Sequence, residues 1–351
     1  MPRPKAGATI MHRDRGMPAY FNFAIKRLWQ FVLVVFIGIN IAYVITHVTP
    51  IDPVEQSISA VTSFGNTSPE AIADMRRSLQ ELYGLKGDWI EQYVSFWRRI
   101  LQADFGPSLS AFPAPVTSLI ARALPWTFGL LAFTTLVSWS IGNLLGALAG
   151  YYRHSRGLKL FGILAMALHP VPYYIVALSL MIVFGFIWPI LPITGGSAMD
   201  VQQGWNWQFA TSVFHHSILP ALSLIMIGIG SWFLGMRSLV SNIITEDYVV
   251  YAEIGGVSQS RMMGSYIIRN ALAPQVTGLA MSLGGIFNGA VITEKIFGYP
   301  GLGTLLVDGV YAGDYGLVLG VTSIAIIGVS LSVLMIDLIY PLIDPRVQVA
   351  S

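Results

Sequence analysis

The ionisable side chains of this sequence are few, and those that could do chemistry are isolated. His215 and His216 adjoin, and paired imidazoles suit a divalent metal. The sequence has no cysteine and places no carboxylate beside the pair, so two solvated loop histidines are the better reading. His169 precedes Pro170 inside a long apolar run; it reads as a partner for backbone freed at the proline, ahead of a proton relay. No Ser/His/Asp grouping or carboxylate pair stands in a catalytic context, and no G-x-x-x-x-G-K-[ST] loop is present to cradle ATP. The chain reads as a non-enzyme with no catalytic residue, no metal site and no cofactor of its own. If it performs work, the energy comes from another polypeptide.

The polar exception is the stretch EDYVVYAEIGGVSQSRMMGSYIIRNALAP, Glu246 to Pro274. Glu246 and Asp247 sit where a helix would begin, so their charge meets its positive end. Gly255–Gly256 breaks that helix, and Ser258 is placed to cap a second. Arg261 and Arg269 face polar surroundings while Met262, Met263, Ile267, Ile268 and Leu272 supply an apolar side. Pro274 comes just before the next apolar run. Ordinary connections are about 4–6 residues, so a helix–hinge–helix over 244–274 reads as a docking surface.

The elements around this insert are greasy. Of 351 residues, 54% are hydrophobic and 11% charged, and mean hydropathy is +0.64. Soluble domains average about 25% charged residues, so the chain reads as an all-α membrane protein. A net charge of +2 is too small to suggest nucleic-acid binding. Runs long enough to cross a bilayer fall at Phe31–Val48 (28–49 with its flanks), Trp126–Tyr152, Leu160–Ile190, Ile218–Met236, Val276–Thr293 and Gly316–Ile336. Pro170 and Pro172 should kink the third. Residues 126–341 form a five-span core.

Basic residues set the direction. They crowd the tail 1–27, recur in YYRHSRGLK after the second span, and return at Arg237, Arg261 and Arg269; the loop 191–217 has none. Six spans then leave both termini, including the tail 342–351, and the insert in the cytoplasm. The segment 50–125 lies outside. There Ser68-Pro69-Glu70 and Asp88…Glu91 are helix starts, Gly84 can end the first helix, and Ile90, Val94, Trp97 and Leu101 form an apolar stripe. These two amphipathic helices pack on each other or on the membrane surface, or serve as a platform for an external partner.

Small residues recur where helices should touch. Gly142, Gly146 and Gly150 make two G-x-x-x-G steps, and Gly285 with Gly289 makes another. EKIFGYPGLGT, Glu294 to Thr304, is too apolar for a free outer loop. Irregular backbone near a membrane is tolerated only against protein or a water-filled cavity. Phe297, Pro300, Gly301, Leu302 and Gly303 are therefore expected to fold back over a pore mouth as an outer gate. Glu294 either pairs with Lys295 or meets solute.

The insert resembles the EAA loop of permease subunits of ATP-binding-cassette importers, in the oligopeptide/dipeptide/nickel branch. EDYVVYAEIGGVS and RNALAP carry the likeness. Ala252 falls at the motif's second alanine and Gly256 at its glycine, while Gly255 replaces a usual lysine and Val257 a leucine. TPIDPVEQ, DFGPSLS, LPITGGS, ITEKIFGYPGLGTLL and IDLIYPLIDPR follow in the family's order, with Ile51 replacing a glycine.

The resemblance implies a six-span type I importer domain in the bacterial inner membrane. It implies a similar but not identical second permease subunit, a periplasmic binding protein and two cytoplasmic ATPases holding ATP and magnesium. Glu246, Asp247, Tyr248, Ala252, Gly256, Ser258, Arg269, Asn270 and Pro274 become the ATPase-coupling residues. Oligopeptides are the expected cargo, oligosaccharides the alternative; a stand-alone channel leaves the insert without a role.

Overall fold

The computed structural model describes residues 17–48, 54–55, 58–59, 68–82 and 87–343. Expectations for the tail 1–16, for 49–53, for Gly84 and for 344–351 lie outside the described residues. Helices dominate, and the described residues hold no strand beyond an isolated bridge between Pro107 and Pro115.

Among the described residues, four helices are long and apolar enough to cross a bilayer: α1 (Met17–Val48), α4 (Val116–Tyr151), α7 (Trp207–Ile243) and α12 (Tyr315–Ile343). α1 begins ahead of the expected 28–49 boundary and takes in the end of the basic tail. α4 likewise starts at Val116, because Pro125 and Arg122 are accommodated within one continuous helix. The expected third span is α5 (Arg156–Leu168) and α6 (Tyr173–Met181), bent by 103° across Pro170 and Pro172 and prolonged by a π turn to Ile187. The expected fifth is broken in two: α9 (Arg269–Gly284) runs into a 3-10 turn, Gly285–Asn288, and α10 (Val291–Ile296) follows a left-handed Gly289 at φ +69°.

α4 and α7 form the central pair and run parallel. Close approach along a ridge of glycines brings them together. A Cβ at Gly142 would meet Trp232 Cβ at 2.6 Å, one at Gly146 the Phe233 carbonyl oxygen at 2.6 Å, and one at Gly150 Val240 Cγ1 at 2.7 Å. Gly285 and Gly289 do not pair helices in this way. A Cβ at Gly285 would meet nothing within 4 Å, and Gly289 serves the break; the small residue that α9 sets against α12 is Gly284, beside Ser332. α1 packs antiparallel to α12 on the far side, with Tyr20 donating to the Leu338 carbonyl (2.8 Å) and Arg27 paired with Asp337 (3.2 Å).

The region before α4 contains α2 (Pro69–Leu82) and α3 (Trp89–Leu101). Ser68 Oγ accepts from the Ala71 N–H at 3.3 Å, and Asp88 caps α3 by accepting from the Glu91 N–H at 2.9 Å. The face of α3 that meets α1 shares Trp97 with the expected stripe and otherwise differs from it. Tyr93 donates to Asn40 Oδ1 (2.6 Å), Phe96 lies on Tyr43 and Trp97 stacks on Phe36, while Ile90, Val94 and Leu101 stay exposed. The apolar arc of α3 is wider than one neighbouring helix covers, and the aromatics reach furthest.

Candidate functional site

The end of the α4–α7 pair near Ile243 carries the insert. α7 ends at Ile243, Glu246 occupies the N-cap position of α8 (Asp247–Ile254), and Asp247 lies in its first turn. Val249 is buried, and Met262 and Ile267 of the second limb join it against Ala147, Met236, Val240 and Ala271. The turn between the limbs depends on Gly256 at φ +75°, a conformation costly for residues with a Cβ. A Cβ there would have open space around it, so backbone conformation alone selects glycine.

The second limb starts at Gln259, widens into a π turn over Met262–Ile268 and continues as α9. Ser258 occupies its N-cap position, but the hydroxyl makes no capping bond. Asn270 Nδ2 donates to the Tyr266 carbonyl (2.6 Å) and to Tyr248 Oη (3.2 Å), joining the limbs. Arg269 and Pro274 are exposed, and Pro274 lies inside α9, not ahead of it, because the helix starts earlier than the apolar run. Ala252 is half-buried; beside it Tyr251 is 73% and Ile254 78% exposed, an apolar face that nothing in the chain covers among the described residues.

The opposite end of the pair carries the turn after α10. Phe297, Tyr299, Gly301, Leu302 and Gly303 are buried and Pro300 is exposed. Tyr299 meets Trp126 of α4 edge-on at 5.5 Å, its hydroxyl 3.0 Å from Ser217 of α7, and Phe297 packs with Ala177 and Leu219. The Gly195 N–H donates to the Phe297 carbonyl at 2.9 Å, so LPITGGS and the turn form one surface.

Glu294 organises this turn and pairs with neither Lys295 nor solvent. It is fully buried; Lys295 reaches Asp308 instead. Glu294 Oε1 accepts from Thr127 Oγ1 at 2.7 Å, and Oε2 from the N–H groups of Gly303 (2.6 Å) and Thr304 (3.3 Å). Thr127 Oγ1 also accepts from the Leu302 N–H at 2.8 Å. These N–H groups open α11 (Leu302–Tyr311), where negative charge is favoured. A Cβ at Gly301 would run into the carboxyl, and one at Gly303 would stand 2.5 Å from Val291 Cα.

Asp314, at the head of α12, is a second buried carboxylate that the sequence reading did not single out. It accepts from the hydroxyls of Ser108 and Ser110, from the Ser110 N–H (3.1 Å) and from the Leu317 N–H (3.0 Å), fixing DFGPSLS against the outer end of the core. His216 Nδ1 lies 2.8 Å from the Ser212 carbonyl. His169, at the α5–α6 bend, meets the Ser231 hydroxyl at 3.2 Å rather than freed backbone. No group of three or more potential metal ligands occurs among the described residues.

Beside the Phe297–Gly303 turn, the adjoining halves of α4 and α7 border a groove of about 1090 Å³. Trp126, Phe133, Trp207, Phe209, Ser217 and Tyr299 are among its walls, and no charged residue lines it. A bundle of apolar helices, several of them long enough to cross a bilayer, is the make-up of a membrane protein. Residues 142–349 match the family described as the binding-protein-dependent transport system inner membrane component, and the chain belongs to it. Similar proteins include the dipeptide transport system permease protein DppB of Lactococcus lactis, 25% identical over 93% of this chain and 99% of that protein. The oligopeptide transport system permease protein AppB of Bacillus subtilis is 27% identical over 90% and 95%. The glutathione transport system permease protein GsiC of Pectobacterium atrosepticum is 28% identical over 93% and 99%.

Proposed function

We propose that the chain is one of two similar pore-forming subunits of an ATP-driven oligopeptide importer in the bacterial inner membrane, with both termini in the cytoplasm. A periplasmic binding protein delivers the peptide. Two ATPases, which hold ATP and magnesium, dock on the insert around Ala252, Tyr251 and Ile254. The turn from Phe297 to Gly303 is the outer gate.

The observation that supports this reading most is the shared footing of insert and turn. Both sit on α4 and α7, one at each end. The uncharged groove suits a passage that releases its cargo, since a charged wall would hold a peptide terminus by a strong charge-assisted bond. The relatives named above transport dipeptides, oligopeptides or glutathione, which favours peptides; oligosaccharide cargo has no support among them.

Uptake by cells lacking the chain, complemented with it and its partner subunits, tests the reading. Short labelled peptides should accumulate and a labelled oligosaccharide should not; the reverse preference would reassign the cargo. Uptake that survives depletion of ATP would make the chain a channel.

A further inference from the structure

The bonds of Glu294 and Thr127 connect elements that stand 167 residues apart in sequence. One threonine hydroxyl of α4 donates to the Glu294 carboxylate and accepts from the Leu302 N–H; the carboxylate's other oxygen takes the next two N–H groups of α11. Thr127, Glu294, Leu302 and Gly303 are all buried. Such a set is costly to pull apart in dry surroundings, because each separated group loses its only partner.

α4 then continues without a break to Ala147, about 30 Å further along at 1.5 Å per residue. There it joins the cluster that holds Val249, Met262 and Ile267 of the insert. Its one internal proline, Pro125, lies on the outer side of Thr127. The glycine ridge fastens α7 alongside over the inner half of this distance. No loop or hinge interrupts the path from insert to clasp.

We propose that Thr127 and Glu294 form a clasp that makes the outer turn a rigid extension of α4, so that movement imposed on the insert reaches the turn through one helix. Both are positioning residues: they act through Tyr299–Leu302 and touch no cargo. The inference rests on the importer reading above, with the insert as the ATPase dock and the turn as the gate.

The test uses the complete assembly in proteoliposomes. The sequence has no cysteine, so Pro300→Cys supplies a single label at the exposed tip of the turn. Two quantities are read: labelling by an impermeant thiol reagent with and without a trapped ATP analogue, and labelled peptide imported per ATP hydrolysed. Thr127→Val keeps the side-chain shape and removes both hydroxyl bonds. It should abolish the nucleotide dependence of labelling and lower peptide per ATP by at least about five-fold, the lower end of coupling between sites. Thr127→Ser should restore both. If Thr127→Val fails to assemble, Glu294→Gln, which removes the charge at nearly the same shape, is judged by the same two readings. Nucleotide-dependent labelling and an unchanged import ratio in the assembled variant would overturn the clasp alone. Absence of both ATP-driven import and nucleotide-dependent labelling in the otherwise unsubstituted chain would overturn the clasp together with the importer reading.

Discussion

Gly146→Ala adds one methyl on the glycine ridge where α4 and α7 approach closely. That Cβ would lie 2.6 Å from the Phe233 carbonyl oxygen and 2.9 Å from Met236 Cβ, whereas ordinary contact begins near 3.4 Å. α7 must therefore retreat by about 0.8 Å at this crossing, and its backbone atoms cannot rotate aside. A gap of 0.5–1 Å forfeits about a quarter to a half of the dispersion attraction along the neighbouring contacts. Overpacking of this kind costs about 1–3 kcal/mol, against which alanine gains about 1 kcal/mol over glycine in a helix. The net expectation is a loss of up to about 2 kcal/mol. Gly285→Ala is the control, with the same spacing motif in the sequence but nothing within 4 Å of its Cβ and a helical φ of −71°. It should be neutral or stabilising by up to about 1 kcal/mol. Thermal unfolding of the detergent-solubilised protein, followed by tryptophan fluorescence, should move down by a few degrees for Gly146→Ala and not for Gly285→Ala. Equal shifts, or a more stable Gly146→Ala, would refute the argument that the glycine ridge sets the helix spacing.

Asp314→Ala removes the acceptor for two serines and the Leu317 N–H. At about 1.5–3 kcal/mol for a charge-assisted bond, its melting temperature should fall further than that of Gly146→Ala, with Asp314→Asn between the two. Ser78 is exposed on α2 and His154 in the turn before α5. In intact cells Ser78→Cys should react with an impermeant thiol reagent, and His154→Cys only after permeabilisation; the opposite pattern reverses the orientation. Gly256→Val should cost about 1–2 kcal/mol of backbone strain at φ +75°, weakening ATPase co-purification while the protein still reaches the membrane. Gly256→Asn, which tolerates a left-handed backbone, should retain more binding.

The helices that cross as single rods were legible because apolar length alone defines them. Their ends were not: Arg122 and Pro125 interrupt the apolar run before α4, yet the helix runs through both. The break in the fifth run has no compositional mark, since Gly289 reads like any glycine of a membrane helix until its φ is known. For the same reason two G-x-x-x-G signals of equal weight led to one close crossing and one open turn. The insert was legible locally, through its acidic start, its glycine pair and its apolar positions. The chemistry of the outer turn was not. Glu294 beside Lys295 suggested an ion pair, but consecutive helical residues do not face each other, and the carboxylate's partner Thr127 lies on another helix. Asp314 escaped notice likewise, because Ser108 and Ser110 reach it from the far side of α4 in sequence.

The proposed function depends on separate ATPase subunits driving this chain by gripping its insert. Ala252→Asp tests it most directly, because Ala252 is half-buried beside the exposed Tyr251 and Ile254, where a new charge would be desolvated on docking. Membranes containing the variant and its partner subunits are solubilised mildly, and the ATPase recovered with the chain is measured beside ATP-dependent peptide uptake. ATPase recovery and uptake should fall together while the amount of chain in the membrane stays level. Full ATPase recovery with full uptake would contradict that dependence.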